Sequence, residues 1–300
     1  MKVLVAGHIT LDTILLPVRT LTSIGGPPSY AGLICSRLGN DVFALTKVGN
    51  DFPADQAVWL SRNGVTIRSE DRSNDRATTK FRIEVSGKER RLYLLSRCED
   101  ITRNQVPDSQ FHGSLLSPVA GEIPASVVSD VARRSDFTFL DPQGFVRTFG
   151  QGGVVTVGRL KDDSILSKVD AVKMDRQEAE AVTGSASPIE ALRRLSSRGV
   201  KKAVVTNGAE ACSVLDGTRV YIVPVPKVQI VDTTGAGDIL GGTLLACYIK
   251  SREFLWSACF GIAASSLSLH LIALSKVDLP MSVDDQAKRL YSLASPAGHV

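Results

Sequence analysis

The segment Asp232-Thr233-Thr234-Gly235-Ala236-Gly237-Asp238 packs more potential chemistry into seven positions than any other part of the 300-residue chain. Gly235, Ala236 and Gly237 lack bulk, so their backbone N–H groups can converge on a phosphate oxygen. The run after Asp238, Ile239-Leu-Gly-Gly-Thr-Leu-Leu-Ala-Cys-Tyr248, is apolar and rich in small residues. It reads as a helix whose N-terminus adds a positive dipole end at the same spot. Asp238, at the helix start, could cap it and do nothing more. An aspartate aimed into a phosphate cradle is repelled by its ligand, however, unless it takes part in the reaction. As a base it would take the proton of an attacking hydroxyl while the N–H groups stabilise charge on the transferred phosphoryl.

Such a loop needs a scaffold, and the rest of the chain supplies a pattern for one. Short apolar runs at 3–6, 42–47, 137–140, 171–173 and 203–206 read as buried parallel strands. Helical spacing occupies 29–38, 54–63, 124–134, 177–182 and 189–198. Strand and helix in alternation predict one α/β domain over residues 1–300, a doubly wound, mostly parallel sheet. Two segments break the rhythm. Residues 9–21 form an extended piece, and 78–95 read as a hairpin turning at Ser86-Gly87. Strands inserted in a βαβ series fit a small separate β sheet, a lid over the carboxyl ends of the main strands, where ligands bind in such folds. Residues 150–157 read as a glycine- and valine-rich loop without an assigned role.

Composition excludes several functions. At 43% hydrophobic, 22% charged and a formal charge of +4, the chain is an ordinary globular protein, without the basic, aromatic-interleaved run that a nucleic-acid groove needs. Cys35, Cys98, Cys212, Cys247 and Cys259 are widely spaced with no C-x-x-C pair, which predicts free thiols in a reducing, cytoplasmic setting. Residues 254–275 carry no formal charge and are long enough to span a bilayer. Their five serines, His270 and the small-residue run 261–266 favour a buried helix pair instead. His8, His112 and His270 read as structural, His299 as part of a frayed terminus, and Trp59 and Trp256 as core or subunit contacts.

The loop 232–238 resembles the second signature of the PfkB (ribokinase-like) carbohydrate kinases, with Asp238 at the catalytic-base position. The first signature is recognisable as Gly25-Gly26-Pro-Pro-Ser-Tyr-Ala-Gly32, followed by Gly39 and Gly49. Gly7 and Asp12 resemble the strand and aspartate that open that family's substrate site. Thr206-Asn207-Gly208 resembles its nucleotide-phosphate turn, although a turn is expected there whatever the function. Glu178 sits at the Glu of an N-x-x-E motif whose Asn is Asp175 here. The matches run from residue 5 to about residue 245 in family order. The resemblance implies a ribokinase-like fold and transfer of the γ-phosphoryl group of ATP to an alcohol. It also implies Mg²⁺ near Asp175 and Glu178, carboxylates suited to that ion through waters. Equally, Glu178 could be an exposed first-turn helix residue.

Departures from the family pattern bear on the substrate. Tyr30 stands where an Asn is usual, which weakens a ribose reading; its ring could also simply pack on the helix it opens. Val119-Ala-Gly-Glu-Ile-Pro124 and Asp141-Pro-Gln143-Gly-Phe-Val-Arg147 look like the myo-inositol kinase branch. Gln143 offers a donor and an acceptor, Arg147 a five-donor fork, and Asp12 an acceptor, a set suited to a polyhydroxylated neutral ring. Alternatively Gln143 could satisfy loop backbone and Arg147 could pair with an acid or a phosphate. The expectation is an ATP- and Mg²⁺-dependent polyol kinase, a monomer or homodimer without nucleic-acid or membrane partners. Its acceptor site would be Asp12, Gly25, Gly26, Tyr30, Gln143 and Arg147. Its nucleotide site would be Thr206, Gly208, Gly235 and Gly237, with Asp238, Gly235, Ala236 and Gly237 catalytic. Another acceptor (a nucleoside, ribose or a keto-deoxy sugar acid), a non-catalytic nucleotide-binding protein and a membrane-associated protein are the alternatives. The run 261–266 could line the adenine pocket or serve helix packing.

Overall fold

The structure, a computed structural model, describes residues 1–16, 19–86 and 89–300. In chain order its strands are β1 (Lys2–Ala6), β2 (Thr10–Leu16), β3 (Arg19–Gly25), β4 (Asp41–Leu45), β5 (Lys80–Ser86), β6 (Glu89–Ser96), β7 (Gly113–Leu116) and β8 (Thr138–Leu140). They continue as β9 (Arg147–Phe149), β10 (Val155–Val157), β11 (Ala171–Asp175), β12 (Lys202–Asn207), β13 (Glu210–Asp216), β14 (Arg219–Val223) and β15 (Ser295–His299). The main sheet runs β15-β14-β13-β12-β11-β8-β7-β1-β4. Its strands are parallel from β4 to β12 and antiparallel from β12 to β15.

Both faces of this sheet are buried, which is why its strands read as continuous apolar runs. Val3 and Val5 of β1 face one core, shared with the helices Ala236–Ser251 and Phe254–Ser268. Leu4 and Ala6, one residue out of phase, face the other, built on the helices Ala125–Arg133, Arg176–Thr183 and Pro188–Ser197. The expected doubly wound architecture is present. The antiparallel edge is an addition: its strands carry charged and polar residues, so hydropathy alone did not mark them. His299 lies in β15, paired with Arg219, and not in a frayed end. Trp59 is 40% exposed and so is no core residue, whereas Trp256 packs edge-on against Tyr291.

A second sheet, β3-β2-β5-β6, stands apart from the first. The segment 9–21 is two antiparallel strands, β2 and β3, and the second reaches Gly25. β2 also pairs in parallel with β5, which pairs with β6 as the expected hairpin; Gly87 of its turn lies outside the described residues. The glycine-rich stretch 150–157 closes a further hairpin, β9–β10, that touches β6 through a bridge between Tyr93 and Val154.

The uncharged stretch 254–275 forms the helix Phe254–Ser268 and a 3-10 turn, Ala273–Val277. The helix packs on Ala236–Ser251 so closely that a Cβ on Gly261 would come within 2.9 Å of the Leu240 carbonyl oxygen. Among the described residues no helix is long and apolar enough to cross a membrane. All five cysteines are free, and four are buried.

Candidate active site

The loop 232–238 and the helix after it line a cleft of about 520 Å³ at the carboxyl ends of the parallel strands. Gly235, at φ +75°, is the N-cap of the helix Ala236–Ser251, and no side chain caps that helix. A Cβ at Gly235 would meet the Tyr30 ring at 2.8 Å, and one at Gly237 would meet Lys173 Nζ at 2.7 Å. Glycine is thus required twice, once for conformation and once for space. Asp238 does not cap its helix. Its Oδ1 is shielded from solvent and has no hydrogen-bond partner among the described residues. Burial, and then the negative Asp141, push its carboxyl up to about 7, against the pull of Lys173 and Arg147. A group with that balance is a base of useful strength near neutral pH.

Asp12, Gly26, Tyr30, Gln143 and Arg147 line the same cleft, with Thr10, Phe81 and Leu92 beside them. Gly25 does not line it. It backs Asp12, and a Cβ there would fall 2.0 Å from the Asp12 Oδ2. Thr10 Oγ1, Asp12 Oδ1 and the Tyr30 hydroxyl are buried without partners, like Asp238 Oδ1. Burial raises the Asp12 carboxyl to about 6, with Thr10, Arg90 and Arg147 opposing, and burial also raises the Tyr30 phenol. Unmet buried polar atoms cost free energy, so four in one cleft mark a place where ligand groups complete the bonding.

Gln143 and Arg147 bind each other. Arg147 donates to Gln143 Oε1 at 2.6 Å and to the Val119 carbonyl at 2.9 Å, and Gln143 Nε2 donates to Ser117 Oγ at 3.1 Å. The Gln143 side chain thus bonds two side chains and no loop backbone, Arg147 is paired with no acid among the described residues, and both line the cleft. Behind it, Glu122 accepts backbone N–H bonds from His8 at 2.9 Å and Ala120 at 2.7 Å, and from Val119. His8 is structural, held by Thr79 and the Glu99 carbonyl.

Lys173 was not singled out in the sequence. It sits inside β11 between Val172 and Met174, where the strand pattern disguises a cation. The ammonium pairs with Asp141 Oδ2 at 2.7 Å in near-complete burial. Burial disfavours its charge, but Asp141, Glu178 and Asp238 outweigh that and hold the lysine above its usual range. The signal available was a lone lysine in an otherwise apolar strand, since a buried charge requires a partner.

Asp175 and Glu178 form a reciprocal capping box on the helix Arg176–Thr183: each side chain accepts the other's backbone N–H at 2.8 Å. Glu178 is buried and lines the cleft, so the exposed-helix alternative fails, and burial followed by Asp141 raises its carboxyl. Among the described residues no group of three or more His, Cys, Asp or Glu side chains could hold a metal. Thr206, inside β12, and Gly208, just after it, also line the cleft, and Cys212, Val225, Val228, Ile262 and Leu269 form an apolar arm of it. In the run 261–266, Ile262, Ser265 and Ser266 face the cleft while Gly261 serves helix packing.

Residues 17–273 match the family model of the pfkB family carbohydrate kinases. The chain belongs to the pfkB family. This pfkB-family protein is a carbohydrate kinase, a phosphotransferase with an alcohol acceptor. It is 24% identical to the inositol 3-kinase of Arabidopsis thaliana over 96% of this chain and 80% of that one. It is also 25% identical to the cytidine kinase of Thermococcus kodakarensis over 84% of this chain and 90% of that one. Its ribokinase-like fold is similar to a pyrophosphate-dependent kinase of the ribokinase family solved with a pyrophosphate analog and myo-inositol (TM-score 0.80, 22% identity, 91% of this chain and 97% of that chain). The inositol-kinase relatives support the myo-inositol branch of the family.

Proposed function

We propose that this kinase transfers the γ-phosphoryl group of ATP to a hydroxyl of a neutral cyclic polyol, myo-inositol being the best candidate. The observation that carries the reading is the set of unpartnered atoms, Thr10 Oγ1, Asp12 Oδ1, Tyr30 Oη and Asp238 Oδ1, in one cleft with a glycine loop at a helix N-terminus. Two carboxylates and two hydroxyls suit a ring bearing hydroxyls on several sides. Arg147 already spends donors on Gln143 and Val119, which favours a neutral acceptor over a sugar acid. The relatives that act on inositol add weight to the same reading.

In the proposed reaction Asp12, Tyr30 and the Gln143–Arg147 pair orient the acceptor. The Asp238 Oδ1 takes the proton of one hydroxyl as its oxygen forms a bond to the γ-phosphorus. The bond from that phosphorus to the β–γ bridging oxygen breaks, and ADP leaves. The N–H groups of Gly235 and Gly237, with the Lys173 ammonium beside Gly237, stabilise the equatorial oxygens, while the Ala236 N–H, expected to join them, donates instead to the Thr233 carbonyl at 3.2 Å. Thr206 and Gly208 would flank the nucleotide phosphates, and the apolar arm suits a purine or pyrimidine base, which favours a nucleotide over pyrophosphate as donor. Mg²⁺ fits the residues present: each carboxylate of Asp175 and Glu178 commits one oxygen to the cap, leaving hard oxygens on the cleft wall. Bound there through waters, the ion would neutralise phosphate charge. The β2–β3–β5–β6 sheet contributes Thr10, Asp12, Phe81 and Leu92 to the cleft, so we assign it the role of a lid that excludes water.

The test is donor consumption with ATP or pyrophosphate over myo-inositol, ribose, cytidine, fructose and 2-keto-3-deoxygluconate. The reading expects ATP turnover with myo-inositol well above the others. Preference for cytidine or ribose would overturn the acceptor assignment, and preference for pyrophosphate the donor assignment.

A further inference from the structure

Lys276 lies outside the cleft and has no place in the mechanism above. Its side chain is nevertheless completely buried, a costly position for an ammonium unless every donor is satisfied. Its Nζ donates to the Asp232 carbonyl at 2.6 Å and the Thr234 carbonyl at 2.8 Å, and pairs with Asp232 Oδ2 at 3.1 Å. All three oxygens belong to the loop leading into the glycines. We propose that Lys276 is a positioning residue for phosphoryl transfer, an internal cation that sets the peptide planes of the anion-binding loop from behind. The inference rests on the proposed kinase function.

The geometry explains how. In a trans peptide the C=O and the next N–H point in opposite directions. Drawing the 232 and 234 carbonyls onto one ammonium therefore turns the N–H groups of Thr233 and Gly235 the other way, and both residues line the cleft. The intervening Thr234 N–H is retired to Asp232 Oδ1 at 2.8 Å, so it does not compete for the ligand. Asp232 is held in turn by the Ala273 N–H at 3.2 Å, from a non-glycine residue in the left-handed region at φ +51°. Such a conformation persists only where its surroundings over-determine it. The Leu269 carbonyl adds bonds from the Val231 and Asp232 N–H groups at 2.8 and 3.2 Å. The segment 269–276 thus holds the Val231 and Asp232 N–H groups, the Asp232 and Thr234 carbonyls and the Asp232 side chain, with Lys276 as its one cation. Burial lowers this lysine to about 8 while Asp232 opposes the shift, which keeps the ammonium form dominant at neutral pH. A fixed positive charge under the loop also complements a phosphate above it.

A buried ion pair that served stability alone could be exchanged for an apolar side chain with no effect on catalysis. The experiment compares wild type, Lys276→Met, which keeps the volume, and Lys276→Ala, which leaves a cavity. Turnover is measured with the acceptor found in the screen, and Mg²⁺–ATP binding by calorimetry. Both variants should lose about 10²-fold in kcat, with acceptor KM within about threefold. Ammonium chloride, supplying a small cation to the vacated seat, should restore about tenfold of the lost rate to Lys276→Ala. It should restore nothing to Lys276→Met or wild type, and choline chloride at equal ionic strength should be inert. Mg²⁺–ATP affinity of Lys276→Ala should fall about tenfold and recover with ammonium. Wild-type kcat in Lys276→Met, or losses in both variants that ammonium leaves unchanged, would overturn the assignment. A wild type that binds Mg²⁺–ATP but phosphorylates no acceptor would refute the proposed function, and the binding arm would still decide the role of Lys276.

Discussion

Replacing Asp238 by Asn should make the protein more stable while removing its activity. The Asp238 carboxyl moves from 3.8 to about 7 on folding, because the native cleft strips its water and sets Asp141 nearby. The native state then holds this proton more tightly than the unfolded chain, so stability falls as pH rises between those two values. At about 1.4 kcal/mol per unit, the full cost above pH 7 is about 4 kcal/mol. The amide keeps a share of it, about 1–2 kcal/mol, since it too is buried without a partner. Asp238→Asn should therefore gain about 2–3 kcal/mol at pH 8, a rise of roughly 3–5 °C in Tm. The gain should fade towards pH 4, as the pH nears the unfolded-state value of 3.8 and the unfolded chain also begins to take up the proton that the native state already holds. Thermal unfolding from pH 4 to 8, followed by circular dichroism, measures both. A variant that melts lower than wild type at pH 8, or a difference independent of pH, would show that Asp238 is not the strained carboxylate described.

Three further substitutions probe neighbouring parts. Gly235→Ala places a methyl in the left-handed region against the Tyr30 ring; it should cost about 1 kcal/mol of stability and at least about 10²-fold in kcat, read by melting and turnover. Lys173→Met strands the buried Asp141 and should lower stability by about 3 kcal/mol, with an accompanying loss of kcat; unchanged denaturant midpoints would refute the pairing. Asp12→Asn should raise the acceptor KM at least about tenfold and leave the ATP KM within about twofold, in initial-rate measurements.

The glycine loop was legible because it declares itself within a few residues, small ones before an apolar helix, whereas Asp12, Tyr30, Gln143 and Arg147 were singled out by the resemblance to the PfkB kinases. What stayed hidden depended on distance or disguise. Lys173 sits in a five-residue strand whose apolar neighbours set the pattern, and its partner Asp141 lies 32 positions away. Lys276 is 44 residues from the carbonyl of Asp232 and follows a run that reads as buried helix. The D-x-x-E spacing of Asp175 and Glu178 was visible, but the same spacing serves a capping box and a metal site, and the structure displays the cap. β3 was read only as far as residue 21 because Thr20 and Thr22 are exposed on one face and Ser23 interrupts the other, which leaves no apolar face to register.

Catalysis by Asp238 is the central claim, and turnover by Asp238→Asn tests it most directly, with Mg²⁺–ATP affinity measured on the same sample. The account predicts a fall in kcat of at least about 10³-fold, with ATP affinity within about twofold of wild type. An Asp238→Asn enzyme working within about tenfold of the wild-type rate would contradict it.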